Sequence, residues 1–305
     1  VSARTRSRVE QAIEELGFQP SYLGVSLAAR RHAANGIVFP DLSGPFYAEV
    51  VLGYEERASR LGRSVLILSS RGRTDVAAMV RDLASRVDGL VLLGADVPDR
   101  VVAQVQRTGP PMVLLARAGV GSADTITTDN AGGGRALAEH LLAHGYTRMR
   151  FLGDARHSPD VAARWEAVSG AWADAGLRRR APVLCPLDEP SGHAAALEVL
   201  TTRPRPHVLV AGNDEVALGA LLAAEELGLS VPGDVAVTGW DDVMAAGYSR
   251  PGLTTVRQPM RELGERAAQA LDELTSGTRT TPRHQVLPTQ LVVRASCGPH
   301  EEEPA

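Results

Sequence analysis

The chain has 305 residues, 44% of them hydrophobic, which is apolar material enough for two compact lobes. With 32 Lys and Arg against 36 Asp and Glu it carries no global positive field, so any nucleic-acid contact must come from a local element. No apolar run approaches the roughly 18 residues of a membrane span, and no apolar segment follows the first arginines, which argues against membrane insertion and export.

Two cysteines, Cys185 and Cys297, stand far apart without CxxC or metal-ligand spacing, which fits buried thiols in a reducing, cytoplasmic compartment. Position 1 is Val, an indication that the chain starts partway through a longer one. Ser2 can cap a helix carrying Val9, Ala12, Ile13 and Leu16 on one face, stopped by Gly17 ahead of Pro20. A second short helix is predicted over about 21–30, leading through Arg30, Arg31 and His32 toward the first strand. Neither helix has enough apolar surface to stand as a domain.

From Gly36 onward, short aliphatic runs alternate with amphipathic helical stretches, the pattern of βαβ units and parallel sheets. Strands are predicted at 36–39, 64–68, 89–93, 112–115, 149–152, 183–184, 207–211 and 235–238. Most are hydrophobic throughout, as strands covered by helices on both faces should be. Tyr47, Val50, Val51, Tyr54, Ala58 and Leu61 recur at helical spacing before Gly62. A further helix from about Asn213 to Leu227 ends at Gly228, with Pro232 beyond it. The same α/β grammar thus repeats in both halves, and 301–305 reads as a solvated tail.

Signatures of catalysis, metals and cofactors are thin. His140 and His144 share a helix face at i,i+4, but no Glu follows His140 and no third ligand is evident, so zinc is not indicated. Gly132–Gly134 lacks the spacing of a phosphate loop, no GxSxG elbow occurs, and no Ser-His-Asp set is defined. No cofactor is called for. Arg178–Arg180 follows Gly176 as a charged loop after a helix, with an anion site as the alternative.

Several blocks then occur in a telling order: Val1–Pro20, Ser26 and Leu27 with Arg30 and Arg31, Pro40–Glu49, Val87–Leu90, Asp129–Gly133 with His140, Leu141 and Gly145, Ala211–Asp214, Leu227–Asp242 and Pro251–Val256. Together they resemble the LacI family of bacterial transcription regulators over about 1–297. The resemblance implies two Rossmann-like lobes of the periplasmic-binding-protein-like type I class, joined by three crossovers near Gly145, Leu253–Val256 and Leu287–Pro288. It implies a headpiece and hinge remnant at 1–35, an N-terminal lobe of 36–145 plus 257–287, a C-terminal lobe of 146–256 plus 288–298, and a disordered tail at 299–305. It also implies a ligand-responsive homodimeric repressor with a sugar-like effector in the cleft. A solute-binding protein without DNA binding is the alternative, and an α/β enzyme the more distant one.

The resemblance places Phe46, Tyr47, Arg117, Asp129, Arg164, Leu187, Asn213, Trp240 and Asp241 at or beside the effector, with Asp214 and Trp165 as neighbours. Competing readings stand beside it: core packing for Tyr47 and Trp240, helix caps for Asn213 and Asp129, and a solvated charge for Arg164. The family's effector-clamping Arg is expected three residues before the glycine matched by Gly170, where Ala167 stands; Arg164 lies one turn earlier. On the DNA side, Ser2 is expected to contact phosphate or simply cap its helix, Leu27 to wedge into the minor groove, and Ser21 to lie in the hinge. The first two headpiece helices are absent from the sequence, so specific DNA binding by this chain is expected to be weak or nil, and Gly24 lowers the hinge's helix propensity.

Overall fold

A computed structural model describes residues 2–17 and 32–298. Ser21 and Leu27, the expected hinge contacts, lie outside the described residues, as does the tail from 299. Helix α1 (Ala3–Leu16) begins where the Ser2 hydroxyl accepts the Thr5 amide at 3.3 Å and ends at Gly17 with φ 57°. Its apolar face is present as predicted, yet none of its residues is buried.

Six parallel strands make the first sheet: β1 (Ala34–Phe39), β2 (Ser64–Ser69), β3 (Gly89–Leu93), β4 (Met112–Leu115), β5 (Asp124–Thr128) and β10 (His284–Leu287), in the order β2-β1-β3-β4-β5-β10. Alternate side chains serve two separate cores. Ile37, Phe39, Val91, Leu93, Val113 and Leu115 face α2 (Pro45–Arg60) and α10 (Met260–Ser276). Val38, Leu90, Leu92, Met112 and Leu114 face α3 (Val76–Ala84) and α4 (Asp99–Thr108). Strand β2 departs from the expectation of burial on both faces: it is the sheet edge, and Ile67 is 47% exposed.

The second sheet holds β6 (Met149–Leu152), β7 (Val208–Ala211) and β8 (Ala236–Thr238), also parallel. Bridges from Leu152 to Val183 and from Thr238 to Thr254 extend it on either side, so the expected strand at 183–184 is a single bridge. On one face lie α5 (Asn130–Ala143) and α6 (Pro159–Asp174), on the other α7 (Glu189–Thr201) and α8 (Asp214–Glu226). A short helix α9 (Met244–Tyr248) precedes the antiparallel pair of β9 (Thr255–Arg257) and β11 (Gln290–Val292).

Helix α5 corrects the expected lobe boundary. Leu137, Ala138 and Leu141 are buried with Phe151, Val168 and Trp172, so the helix packs on the second sheet. The chain therefore leaves the first lobe at Asp129–Asn130, directly after β5, and not near Gly145. Gly145, with φ 78°, follows the end of α5 within the second lobe.

In each lobe one pair of helices approaches to backbone contact. A Cβ at Gly53 of α2 would lie 1.9 Å from the Arg261 carbonyl oxygen of α10, and one at Gly219 of α8 would lie 2.2 Å from the Glu189 carbonyl oxygen of α7. A methyl group there forces the helices apart. Gly170 of α6 has nothing within 4 Å of its Cβ position. We expect Gly53→Ala to lower unfolding free energy by about 3 kcal/mol in urea titrations, whereas Gly170→Ala should raise it by up to about 1 kcal/mol through helix propensity. Equal effects at the two positions would contradict the close-approach account.

Candidate functional site

In both sheets the strand order reverses, between β1 and β3 in the first and between β6 and β7 in the second. Loops leaving the carboxyl ends of strands diverge at such points and leave a crevice. The two crevices share one cavity of about 320 Å³. Its walls are the loops after β1 (Pro40, Asp41, Ser43), β2 (Arg71), β3 (Gly94, Ala95, Asp96) and β4 (Ala116) on one side, and those after β6 (Asp154, His157, Ser158), β7 (Asn213) and β8 (Asp241) on the other.

Six of the nine expected effector residues line this cavity: Phe46, Tyr47, Arg164, Leu187, Asn213 and Asp241. Three do not. Arg117 is buried, but its guanidinium donates to the carbonyls of Gly94 and Val97 at 3.1 and 3.0 Å and to Asp99, so it braces the loop after β3 from behind. Ala116, at φ 52°, lines the cavity in its place. Asp129 is exposed and caps α5, accepting the Gly132 amide at 2.8 Å, so its helix-cap reading describes its contacts. Trp240 is 1% exposed and lies beneath the cavity, its ring covered by the Arg164 guanidinium 4.6 Å from the ring centroid. Trp165 carries Arg179 over its face at 4.4 Å and is also absent from the lining. Asp214 is fully buried behind the cavity, accepting the Val243 amide and the Thr255 hydroxyl at 2.9 and 2.6 Å.

Arg164 is no surface charge. It is 5% exposed, with Nε donating to Asn130 Oδ1 at 2.9 Å and Nη1 to the Gly212 carbonyl at 2.7 Å. It forms no ion pair within 4.0 Å among the described residues, and its Nη2 makes no hydrogen bond with them. Burial pulls its pKa down, opposed by the nearby Asp241 and Asp160, and a guanidinium remains charged even so. The expected displacement of the clamping arginine also dissolves. A Cβ on Gly134 of α5 would meet the Ala167 methyl at 2.8 Å, so the small residue required where α5 meets α6 is Ala167, three positions after Arg164. Gly170, with open space around it, was the wrong anchor for that spacing.

Asp241 has φ 112°, a region that side-chain-bearing residues seldom occupy and that costs about 1–3 kcal/mol. Its amide donates to the Val256 carbonyl at 2.8 Å, and its carbonyl accepts the Gln258 amide at 3.3 Å, so β9 holds the strained turn. Burial pushes its carboxyl up to about 6, with Arg164 and the Gln258 amide opposing. Burial and then Asp241 push Glu215 up to about 7. Tyr47 is raised by burial and by the surrounding carboxylates, so its phenol stays neutral. Asn213 does two things at once: its Oδ1 caps α8 by accepting the Val216 amide at 3.0 Å, while Nδ2 donates to the Leu187 carbonyl at 3.1 Å.

Several residues of the site stand outside the expected effector set, Asn130 among them although it falls within the Asp129–Gly133 block. Asn130 ties Arg164 to Asp160, donating to the latter at 3.0 Å. Gln258 accepts the Thr128 hydroxyl at 2.7 Å and donates to Asp241 at 2.5 Å, so it links the end of β5 in the first sheet to the second lobe's turn. The loops after β2, β3 and β6, with Arg71, Asp96, Asp154 and His157, could have been found from the carboxyl-end rule alone. Carbon-detected NMR titration of the unliganded protein should find Asp241 titrating near pH 6, and Arg164→Met should move it upward by removing the favourable charge. An Asp241 pKa unaltered by that substitution would contradict the electrostatic coupling.

A profile of the periplasmic binding protein-like domain family matches residues 138–297. The ribose operon repressor of Escherichia coli (strain K12) is 32% identical over 297 residues, covering 94% of this chain and 89% of that protein. The transcriptional repressor PurR of Yersinia enterocolitica is 31% identical, covering 97% and 89%. Among solved structures, the lac repressor dimer bound to operator and the anti-inducer ONPF superposes with a TM-score of 0.88 at 28% identity, over 98% of this chain and 92% of that one. The transcriptional regulator CelR in complex with cellobiose gives 0.81 at 29% identity, over 97% and 91%. With the sheet order, the shared cavity and this likeness along nearly its whole length, the chain belongs to the LacI family of transcriptional regulators.

Proposed function

We propose that this chain is the ligand-sensing and dimerising body of a cytoplasmic transcriptional repressor, and that its cavity binds a neutral, hydroxyl-rich molecule of about monosaccharide size without transforming it. The observation that carries the reading is Arg164, a buried cation with donor capacity left over and aimed at a shared cavity. An aliphatic ligand could not use that donor; a sugar oxygen can. The carboxylates of Asp241 and Glu215 accept from hydroxyl groups, and Phe46 and Tyr47, packed edge to face with ring centroids 5.3 Å apart, offer aromatic surface to the less polar faces of a sugar ring. The volume lies at the small end of the about 300–1,000 Å³ usual for ligand sites.

Charge narrows the class further. Asp41, Asp96, Asp154, Asp160, Asp188, Glu215 and Asp241 all line the cavity, against Arg71, Arg164 and His157. Arg71 is already paired with Asp41, and His157 lies 2.9 Å from Asp154, so an anionic ligand would meet uncompensated carboxylates. That favours a neutral sugar over a phosphorylated one. CelR, a relative in fold and sequence, was solved with cellobiose, which agrees with this class.

In this reading 36–129 with 258–287 form one lobe and 130–257 with 288–298 the other, and a ligand touching both favours their closed arrangement by its differential affinity. The lobe angle sets the spacing of the paired hinge segments in a homodimer, and so the grip on operator DNA by the full-length protein. Ser2, Ser21 and Leu27 are the residues assigned to that contact.

Calorimetry against a panel of neutral sugars tests the proposal. Asp241→Ala should weaken the best ligand by about 100-fold, the loss of a charge-assisted hydrogen bond of about 2–3 kcal/mol; unchanged affinity would refute the assignment. The pH dependence has a definite sign. Ligand hydroxyls donate to the ionised carboxylates and so favour proton release; affinity should be greatest above both values and fall as pH drops through about 7, where the free protein protonates Glu215, and through about 6, where it protonates Asp241. A flat affinity from pH 7.5 to about 5 would contradict the role given to Asp241.

A further inference from the structure

At the opposite edge of the second sheet, away from the cavity, the amino ends of β6 and β7 border a pocket of about 400 Å³. Arg148, Arg150, Arg180 and Arg203 line it, and Glu198 is the one acidic residue among its lining residues. In a chain of net charge −4, four guanidinium groups around one concavity need a reason. We propose that this pocket binds a small metabolite through a diphosphate group.

Helix geometry accounts for some of these arginines but not for all of them. Arg203 Nη1 donates to the carbonyls of Leu200 and Thr202 at 3.4 and 3.2 Å, and Arg205, just outside, donates to Leu200 at 3.3 Å, so both serve the carboxyl end of α7. Arg148 Nε donates to the Arg205 carbonyl at 2.9 Å, which fixes its stem and leaves the tip of its fork unengaged. Arg150 and Arg180 make neither a hydrogen bond nor an ion pair within 4.0 Å among the described residues. Arg150 Nε is buried without a partner, and the side chain rises from a strand whose other members, Met149, Phe151 and Leu152, are all buried.

A buried donor without an acceptor costs free energy, and two guanidinium groups side by side repel. Burial lowers the Arg150 pKa, and the Arg180 charge lowers it further, against the pull of Glu198. The neighbouring arginine of the same run has a different fate: Arg179 turns to Glu166 at 2.5 Å and stacks on Trp165. The charged loop at 178–180 is therefore divided, with Arg179 committed to α6 and Arg180 delivered to the pocket. A diphosphate supplies what the pair lacks, since its oxygens accept the planar forks in parallel and its charge offsets both guanidinium groups. Met149, Val183 and Val199 give the pocket an apolar side against which the remainder of the ligand can rest.

The site stands apart from the effector cavity, so it is testable separately. Calorimetric titration of the full chain with sodium pyrophosphate at constant physiological ionic strength should show saturable binding of one equivalent. Arg180→Gln, at an exposed loop position, should weaken it about tenfold or more, by the loss of one charge-assisted contact, while the unfolding midpoint and sugar binding stay as in the parent chain. Asp241→Asn, which alters only the effector cavity, should leave pyrophosphate binding unchanged. Adenosine diphosphate titrated alongside separates two sources of the same chemistry: tighter binding of the nucleotide assigns the apolar wall to its base, and equal binding assigns the site to the inorganic ion. Absence of saturable binding at millimolar pyrophosphate, or equal affinity in Arg180→Gln and the parent chain, would overturn the proposal.

Discussion

One buried charge organises the centre of this molecule. Removing a guanidinium from water costs several kcal/mol even after relaxation, and the chain offsets that for Arg164 without a direct carboxylate partner among the described residues. Asn130 holds Nε, the Gly212 carbonyl holds Nη1, and the Trp240 ring lies under the plane. These three contacts come from the first crossing between lobes, from the turn after β7 and from the turn after β8. Orienting the arginine therefore brings three loops into register, and Asp241 and Asp160 stand near enough to stabilise the charge while remaining available to a ligand.

The scaffold around that point is built for constancy of position. Strands with both faces buried fix the loop origins, and helices in contact through Gly53, Gly264, Gly192 and Gly219 leave little room for sliding within either lobe. Few elements join the two lobes: the backbone after β5, the β9–β11 pair and the Thr128–Gln258–Asp241 hydrogen-bond chain. In the function proposed above, the angle between the lobes is the coordinate on which a ligand acts, and the cavity lies on it. The two charged regions of the second lobe differ in the same physical terms. The carboxyl ends of its strands carry an excess of carboxylates, suited to neutral hydroxyl groups, and the amino ends carry unpaired guanidinium groups, suited to phosphate.

Much of the architecture was legible because continuous aliphatic runs such as 89–93 and 112–115 have few other uses than a doubly covered strand. Strand β5 was not, since Asp-Thr-Ile-Thr-Thr has the composition of a loop; its Asp124 is tolerated only because Arg279 grips it at 3.0 and 2.5 Å from a position 155 residues away. No local pattern reports such a partner. The lobe boundary failed for a related reason: α5 shows where its apolar face is but not which sheet the face meets. Within the site, residues on or just beyond strand-end loops were legible by position and by family likeness, which is why Tyr47, near the start of α2, and Asn213 and Asp241 were found. Arg117 follows β4 and Trp240 stands beside Asp241, but their side chains turn behind the cavity wall, a matter of backbone torsion at Ala116 and Asp241 that residue identity does not reveal. Asn130, at the start of α5, and Gln258, in the loop after β9, were hidden because their role is to orient other side chains, and a side-chain amide by itself advertises nothing.

The central claim is that Arg164 is held ready for a ligand oxygen between two lobes. A crystal structure of the chain with its sugar, solved beside the unliganded form, tests it most directly. The account requires a ligand oxygen at about 2.7–3.2 Å from Arg164 Nη2, a second hydroxyl on the Asp241 carboxylate, and a smaller angle between the sheets than in the unliganded crystal. A sugar seated clear of the guanidinium, with the lobes unmoved, would contradict it.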